Sequence, residues 1–363
     1  MHTATVSPQL TPPDDNTIGI KLLQHTSPLQ PRLPIVKKNG WHFITCPTPH
    51  QDFPLKKTIT YILLNIASLF WGASFILTKE IFTSIPQISV LQLITMRLIA
   101  ASLVMIPLLA IGGKLEKIKT EDLKWFFLLS LSEPFLYCIL ETSGVRRVSA
   151  TLASVVIATI PIFVTLASAA FLKERLRMLH VVGATLSFIG IVIMVMNNGE
   201  HILDPGSDGN LMVGLMFLGG AIVIAVVYTL LLCHIASRYR ATTITAYQNL
   251  ISLVYYIPAM LLIDGTSIFA LQLTPKVVVF ILLLGVFCST LAYVFYSHGV
   301  QQLGPSSACI FNNTIPIFSL FAAVIIGQEG FSWQKLIGIM VVIVGATMAQ
   351  MKPRQLSNSK SQR

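Results

Sequence analysis

Charge is scarce in this chain. Only 11% of its 363 residues are Asp, Glu, Lys or Arg, against about 25% in an average soluble protein. Acidic residues are the rarer sign, 15 against 25 basic ones. The five cysteines, at 46, 138, 233, 288 and 309, form no C-x-x-C pair. That spacing argues against a zinc site or a disulfide framework, and four of the five lie in apolar runs, where cysteine acts as a small apolar residue. The sequence also lacks a G-x-x-x-x-G-K-[ST] phosphate loop, an H-E-x-x-H pair and a serine-nucleophile motif. ATP hydrolysis and other catalysis by this chain are therefore not expected, and no metal or cofactor is implied. A cleavable signal peptide is missing too, because the first apolar run begins only near Thr58.

Apolar residues fill the space that charge leaves. They make up 54% of the chain, and the mean hydropathy of +0.73 is that of a polytopic membrane protein. The net charge of +10 then needs no nucleic-acid partner, since basic loops beside a bilayer give the same excess. Residues 1–57 hold nine of the nineteen prolines and no helical period, the composition of a disordered tail. From Thr58 on, long apolar runs alternate with short polar breaks. A helix needs about 20 apolar residues to cross the hydrocarbon core. Ten runs meet that length: 58–79, 89–111, 124–145, 150–172, 178–197, 211–235, 243–264, 276–299, 306–328 and 335–351. The fold class expected is an all-α polytopic membrane protein. Lysine and arginine collect at Lys56–Lys57, in the loop 112–124, at 173–177, at 238–240 and after 351, which places both termini in the cytoplasm. Arg146 and Arg147 lie on the opposite side and count against this orientation, but the total favours it.

The chain also repeats itself. TIPIF stands at 159–163 and again, unchanged, at 314–318, an offset of 155. The same offset pairs Gly144 with Gly299, Glu174 with Glu329, Gly183 with Gly338 and Gly190 with Gly345. The front halves align less well, Pro107 and Pro258 requiring an offset of 151. Each repeat holds five helices. An odd number inserts the second copy with opposite polarity, and inverted repeats of this kind characterise secondary transporters, whose substrate binds near the midplane between the copies. The expected organisation is a tail at 1–57, a first five-helix repeat at 58–200, a second at 210–351 and a cytoplasmic tail at 352–363.

At this point the residues resemble a known family. LFWGASFILTK and LITMRLIAASLVMIP in the first two segments, with a TIPIF helix ending in Glu in each half, are similar to the EamA-type members of the drug/metabolite transporter superfamily. The resemblance covers residues 58–351. It implies two EamA-like repeats around a cavity lined by helices 1–4 and 6–9. It implies export of amino acids or related small metabolites across a bacterial inner (plasma) membrane. An exchanger of phosphorylated or nucleotide-linked metabolites is a second reading. A non-transporting membrane sensor or scaffold is a third, from another class. In the second copy Gln328-Glu329-Gly330 replaces Lys173-Glu174-Arg175, a departure from the shared pattern.

Charges inside a membrane segment are costly, so they face a cavity or a partner. Glu133, Tyr137 and Glu141 recur at i, i+4 and i+8, one slanting stripe of the third segment. Pro134 lacks an N–H and disfavours a straight helix there, so a kink beside Glu133 would free backbone carbonyls in the cavity wall. At about 1.5 Å per residue, Arg97 lies roughly 12 Å in from the outer end, Glu133 roughly 16 Å and Glu141 roughly 5 Å. Two readings stand open: an Arg97–Glu pair that fixes two helices, or a carboxylate left unpaired to carry a proton or hold a cationic group. Under the 155 offset Glu133 falls on Cys288 and Glu141 on Tyr296, so the carboxylates belong to one half only. Asn312 and Asn313, before the second TIPIF proline, either line the cavity or join helices. Trp71 is an aromatic cavity wall or a packing residue. His234 and His298 are expected to be interfacial and solvated, and Glu174 and Glu329 to anchor helix ends. Gly183 with Gly190 and Gly338 with Gly345 mark small-residue faces, which pack within the protomer or form the seam of a homodimer.

Overall fold

The computed structural model describes residues 54–111, 115–172, 178–196 and 211–350. The 1–57 tail (save its last four residues), the 352–363 tail and Glu174 lie outside the described residues. Among those described there is no strand. The helices run in order: α1 (Pro54–Ser84), α2 (Val90–Ile111), α3 (Thr120–Arg147), α4 in two pieces (Ala150–Ile157 and Ile160–Leu172), α5 (Met178–Met196), α6 (Leu211–Ala236), α7 (Ala241–Ile263), α8 (Pro275–Leu303), α9 in pieces (Pro305–Cys309, Ile310–Thr314, Ile315–Ile326) and α10 (Trp333–Gln350). Eight of them, α1–α4 and α6–α9, are long and apolar enough to cross a membrane. α5 and α10 contain shorter apolar stretches, Val181–Met194 and Trp333–Ala349.

Local chemistry sets the helix ends. Ser149 caps α4 by accepting from Leu152 N at 3.2 Å. Thr274 caps α8 ahead of Pro275, whose fixed φ suits the first helical position. Gly304, at φ +81°, ends α8, and Pro305 then starts α9. The outer surface is apolar: Leu103, Phe188, Met216, Leu262 and Ile325 are all at least two-thirds exposed. Apolar exposure on this scale is unfavourable in water and suited to lipid.

Helix contacts follow the repeat. The pair α1–α8 is matched by α6–α3, α1–α9 by α6–α4 and α2–α8 by α7–α3, while α2–α7, α4–α9 and α5–α10 join each helix to its own equivalent. That is the contact pattern of two halves related by a two-fold. Single residues repeat it. A Cβ added at Gly144 would lie 2.6 Å from Leu218 Cγ on α6, and one at Gly299 would lie 2.5 Å from Leu64 Cδ2 on α1. The four glycines at 183, 190, 338 and 345 meet one another inside the chain. A Cβ at Gly183 would sit 2.5 Å from Gly345 O, and one at Gly190 2.8 Å from Gly338 O. The small-residue faces are thus taken up by the α5–α10 crossing, which leaves these glycines covered against a second copy.

The breaks in the helices are also paired. α3 opens into a π-helical stretch at Leu131–Leu136, where Glu133 has extended dihedrals (φ −147°, ψ 127°) ahead of Pro134. α8 does the same at Leu284–Leu291, with no proline. α4 breaks at Ala158–Thr159 and α9 runs as a 3₁₀ turn at Ile310–Thr314, each ending on the threonine of TIPIF, two residues before its proline. In both, the TIPIF threonine bonds the carbonyl three residues back: Thr159 Oγ1 to Val156 O at 2.6 Å, and Thr314 Oγ1 to Phe311 O at 2.7 Å. Each proline removes an N–H from the helical ladder, and the threonine hydroxyl occupies a carbonyl next to the gap. Of the described cysteines, Cys138, Cys288 and Cys309 are buried free thiols.

Candidate functional site

The four breaks bring polar groups to the middle of the bundle. A cavity there offers ≈ 50 Å³ for the centres of water-sized molecules, several times the ~10–15 Å³ that one water needs. Its walls come from both halves: Trp71 on α1, Arg97 on α2, the Glu133–Tyr137–Glu141 stripe on α3 and Ile157 on α4 face Tyr228 on α6, Tyr293 and Tyr296 on α8 and Asn312 on α9. Six of the seven residues singled out from sequence therefore share one space. The seventh, Asn313, points away, its Nδ2 donating to Thr347 Oγ1 on α10 at 3.5 Å. A second, smaller space behind Arg97 is lined by Thr245, Gln248 and Asn249 of α7.

The charges are held by neutral hydroxyls. Tyr293 OH donates to Glu133 Oε1, and Arg97 Nε donates to Ser289 Oγ. Tyr137 OH donates to Glu141 Oε1 at 3.4 Å. Among the described residues no Arg97–Glu133 or Arg97–Glu141 ion pair forms within 4.0 Å. Arg97 and Glu133 are both buried. Ser289 and Tyr293, one turn apart on α8, thus fasten two opposite charges contributed by the other half. Trp71 packs edge-on against Tyr293 and Tyr296 of α8, with ring centroids 5.3 and 5.4 Å away, so it both lines the cavity and packs. The carbonyls freed at the α3 break do not open into the cavity wall as expected. Gln248 Nε2 donates to Glu133 O at 3.0 Å, and Tyr256 OH lies 2.8 Å from both Pro134 O and Phe135 O, so α7 covers them. No cluster of three metal-binding side chains occurs among the described residues.

Tyr228, Ser289, Tyr293 and Tyr296 were not singled out from sequence. The last three recur at i, i+4 and i+7 in an otherwise apolar run, a helical stripe as regular as that of the carboxylates. Cys288, the repeat equivalent of Glu133, lies outside this cavity and bonds Phe70 O at 3.2 Å. His234 packs against Trp125 at the end of α6, the two rings tilted by 48°.

Comparison with known proteins agrees with this architecture. The EamA-like transporter family model matches twice, at residues 58–196 and 212–350. An uncharacterized transporter of Archaeoglobus fulgidus is 27% identical over 285 residues, 78% of this chain and 96% of the relative. A second from that organism is 26% identical over 82% of this chain and 99% of its own length. The uncharacterized transporter YetK of Bacillus subtilis is 22% identical over 89% and 93%. A solved crystal structure, 18% identical, shares the fold with a TM-score of 0.57 over 78% of this chain and 97% of that one. With both halves matched, this chain belongs to the EamA-like transporter family.

Proposed function

We propose that this protein is a secondary transporter that moves small zwitterionic solutes, amino acids or close relatives, out across the plasma membrane by alternating access. In this reading all ten helices cross the bilayer, both termini are cytoplasmic, and the five-helix halves are inverted. The two-fold pattern of helix contacts supports it, because two halves with an odd number of spans and a common two-fold must insert with opposite polarity.

One observation carries the substrate class. Arg97 and two carboxylates face one small cavity without pairing with each other. The Nε of Arg97 is occupied by Ser289, which leaves the outer edge of the guanidinium for a substrate carboxylate. Glu133 and Glu141 then receive an ammonium group, and the tyrosine and tryptophan faces favour a cation. A phosphorylated solute fits poorly, since two carboxylates oppose its charge and one guanidinium attracts it. Uptake of radiolabelled amino acids into proteoliposomes tests the reading. Arg97→Lys keeps the charge and loses the planar fork. It should raise KM by about tenfold or more, the worth of one charge-assisted hydrogen bond, with a smaller effect on the maximal rate. Uptake absent for every amino acid, or an unchanged KM, would refute it.

A further inference from the structure

One polar cluster lies outside the cavity. It is built on the turn after α9, where the second copy departs from the first at Gln328-Glu329-Gly330. Gly327, at φ +80°, ends α9 in the left-handed region and throws the chain sideways. The next two side chains then reach in different directions. Gln328 Nε2 donates to Ile76 O at 3.1 Å and to Glu80 Oε2 at 2.8 Å, both on α1. Glu329 Oε1 accepts from Thr151 N in the first turn of α4 at 3.1 Å, while its Oε2 pairs with Lys335 Nζ at 2.7 Å. Glu329 and Lys335 are both more than nine-tenths buried. At the same end Lys79 of α1 donates to Val145 O, Arg146 O and Val148 O, the carbonyls that close α3.

A buried carboxylate and ammonium tolerate each other only while paired and fully hydrogen-bonded. Here the pair places one oxygen on a helix of the opposite half. The contact lies about 9 Å of helix beyond the cavity, six residues from Ile157 to Thr151 and a similar count from Ser74 to Glu80. The turn joins α1 and α4 at this end, and both helices line the cavity below it.

We propose that Gln328, Glu329 and Lys335 form the seal that shuts this end of the transport path, and that opening this end requires Glu329 to leave Thr151. The proposal rests on the alternating-access reading, and its test is chosen to separate the two. A cysteine placed in the cavity, Ser74→Cys, is labelled with a membrane-impermeant thiol reagent from either face, using oriented vesicles, with the protein lacking that cysteine as the blank. The added pair Glu329→Met and Lys335→Met removes both charges together, so neither is stranded, and takes away the oxygen that accepts from Thr151 N. Labelling from the Lys335 side should then become roughly tenfold faster, as expected when a closed state loses its main tie and the two-state balance shifts. If the double variant fails to accumulate in membranes, Gln328→Ala, which keeps the ion pair and cuts only the tie to α1, carries the same expectation. Unchanged labelling from that side, with the cavity still reached from the opposite side, overturns the seal and leaves the transporter reading standing. A cavity cysteine unreachable from both sides in every variant refutes the transporter reading, and the seal falls with it.

Discussion

The crossing of α5 and α10 allows a prediction whose sign depends on packing alone. Gly345 and Gly219 both sit inside helices, so replacing either with alanine gains the same ~1 kcal/mol of helix propensity. Their surroundings differ completely. A Cβ at Gly345 would lie 2.5 Å from Ser187 N and 2.6 Å from Gly183 O, whereas one at Gly219 meets nothing within 4 Å. The atoms around Gly345 are mostly backbone, so they cannot swing aside, and α5 must move off α10. Overpacking of this kind costs about 1–3 kcal/mol. Because the propensity gain is common to both variants, the stability difference between Gly219→Ala and Gly345→Ala isolates the steric cost, about 1–3 kcal/mol in favour of Gly219→Ala. Equilibrium unfolding in mixed micelles, followed by tryptophan fluorescence, measures it. Equal stabilities would refute close packing at this crossing. The measurement repeated at tenfold lower protein concentration should give the same difference, because the contact is within one chain; a difference that shrinks on dilution would place the seam between two copies instead.

Other expectations follow from single contacts. Tyr256→Phe keeps the ring and removes a buried hydroxyl that serves two carbonyls at the α3 break; it should cost about 1 kcal/mol. Tyr255→Phe loses a 3.2 Å bond in a more exposed place and should stay within about 0.5 kcal/mol of the parent. Equal effects in the same unfolding assay would mean that the break needs no support from α7. At the opposite end from the proposed seal, Asp122 accepts from Arg238 Nη1 at 2.5 Å and from Tyr239 OH at 2.9 Å. Arg238 is half exposed, so Asp122→Asn should lose only about 1 kcal/mol at low salt, and less at high salt where the pair is screened. A loss that is independent of salt would assign it to the Tyr239 bond.

The scaffold was largely legible because repetition is visible in sequence. The helix positions, the shared TIPIF and the registered glycines all reappear as contacts. The kink at Pro134 was legible for the same reason that any internal proline is. The matching π-helical stretch of α8 was not, because Leu284–Leu291 contains no proline and reads as an ordinary apolar helix. Nor were the hydroxyls that hold Glu133 and Arg97. A serine or tyrosine in a membrane segment is cheap enough to occur anywhere, so its presence signals little until the fold shows what it faces. The two asparagines divided the two readings open to them: neighbours on a 3₁₀ turn point about 120° apart, so Asn312 faces the cavity while Asn313 joins α9 to α10.

The departures from repetition carry the chemistry, and there is a physical reason. A cavity near a two-fold receives each residue twice. Perfect repetition would give four carboxylates and two guanidinium groups in a space for a few waters, each charge requiring its own desolvation to be offset. In this chain the second half puts Tyr296 where the first has Glu141, and Cys288 where it has Glu133. At the front-half offset of 151 it puts Gln248 where the first has Arg97. These replacements do more than delete charge. Tyr296 forms a wall of the cavity beside Trp71, and Gln248 bonds the backbone of Glu133 itself. One half thus supplies the charges, and the other supplies neutral groups that hold them apart. A departure from repetition also shapes the end of α9, where Gln328 and Gly330 replace the lysine and arginine of the first copy. A turn flanked by two basic residues would crowd Lys335 with like charge. The neutral flanks leave Glu329 a single cationic partner and one free oxygen to give to Thr151.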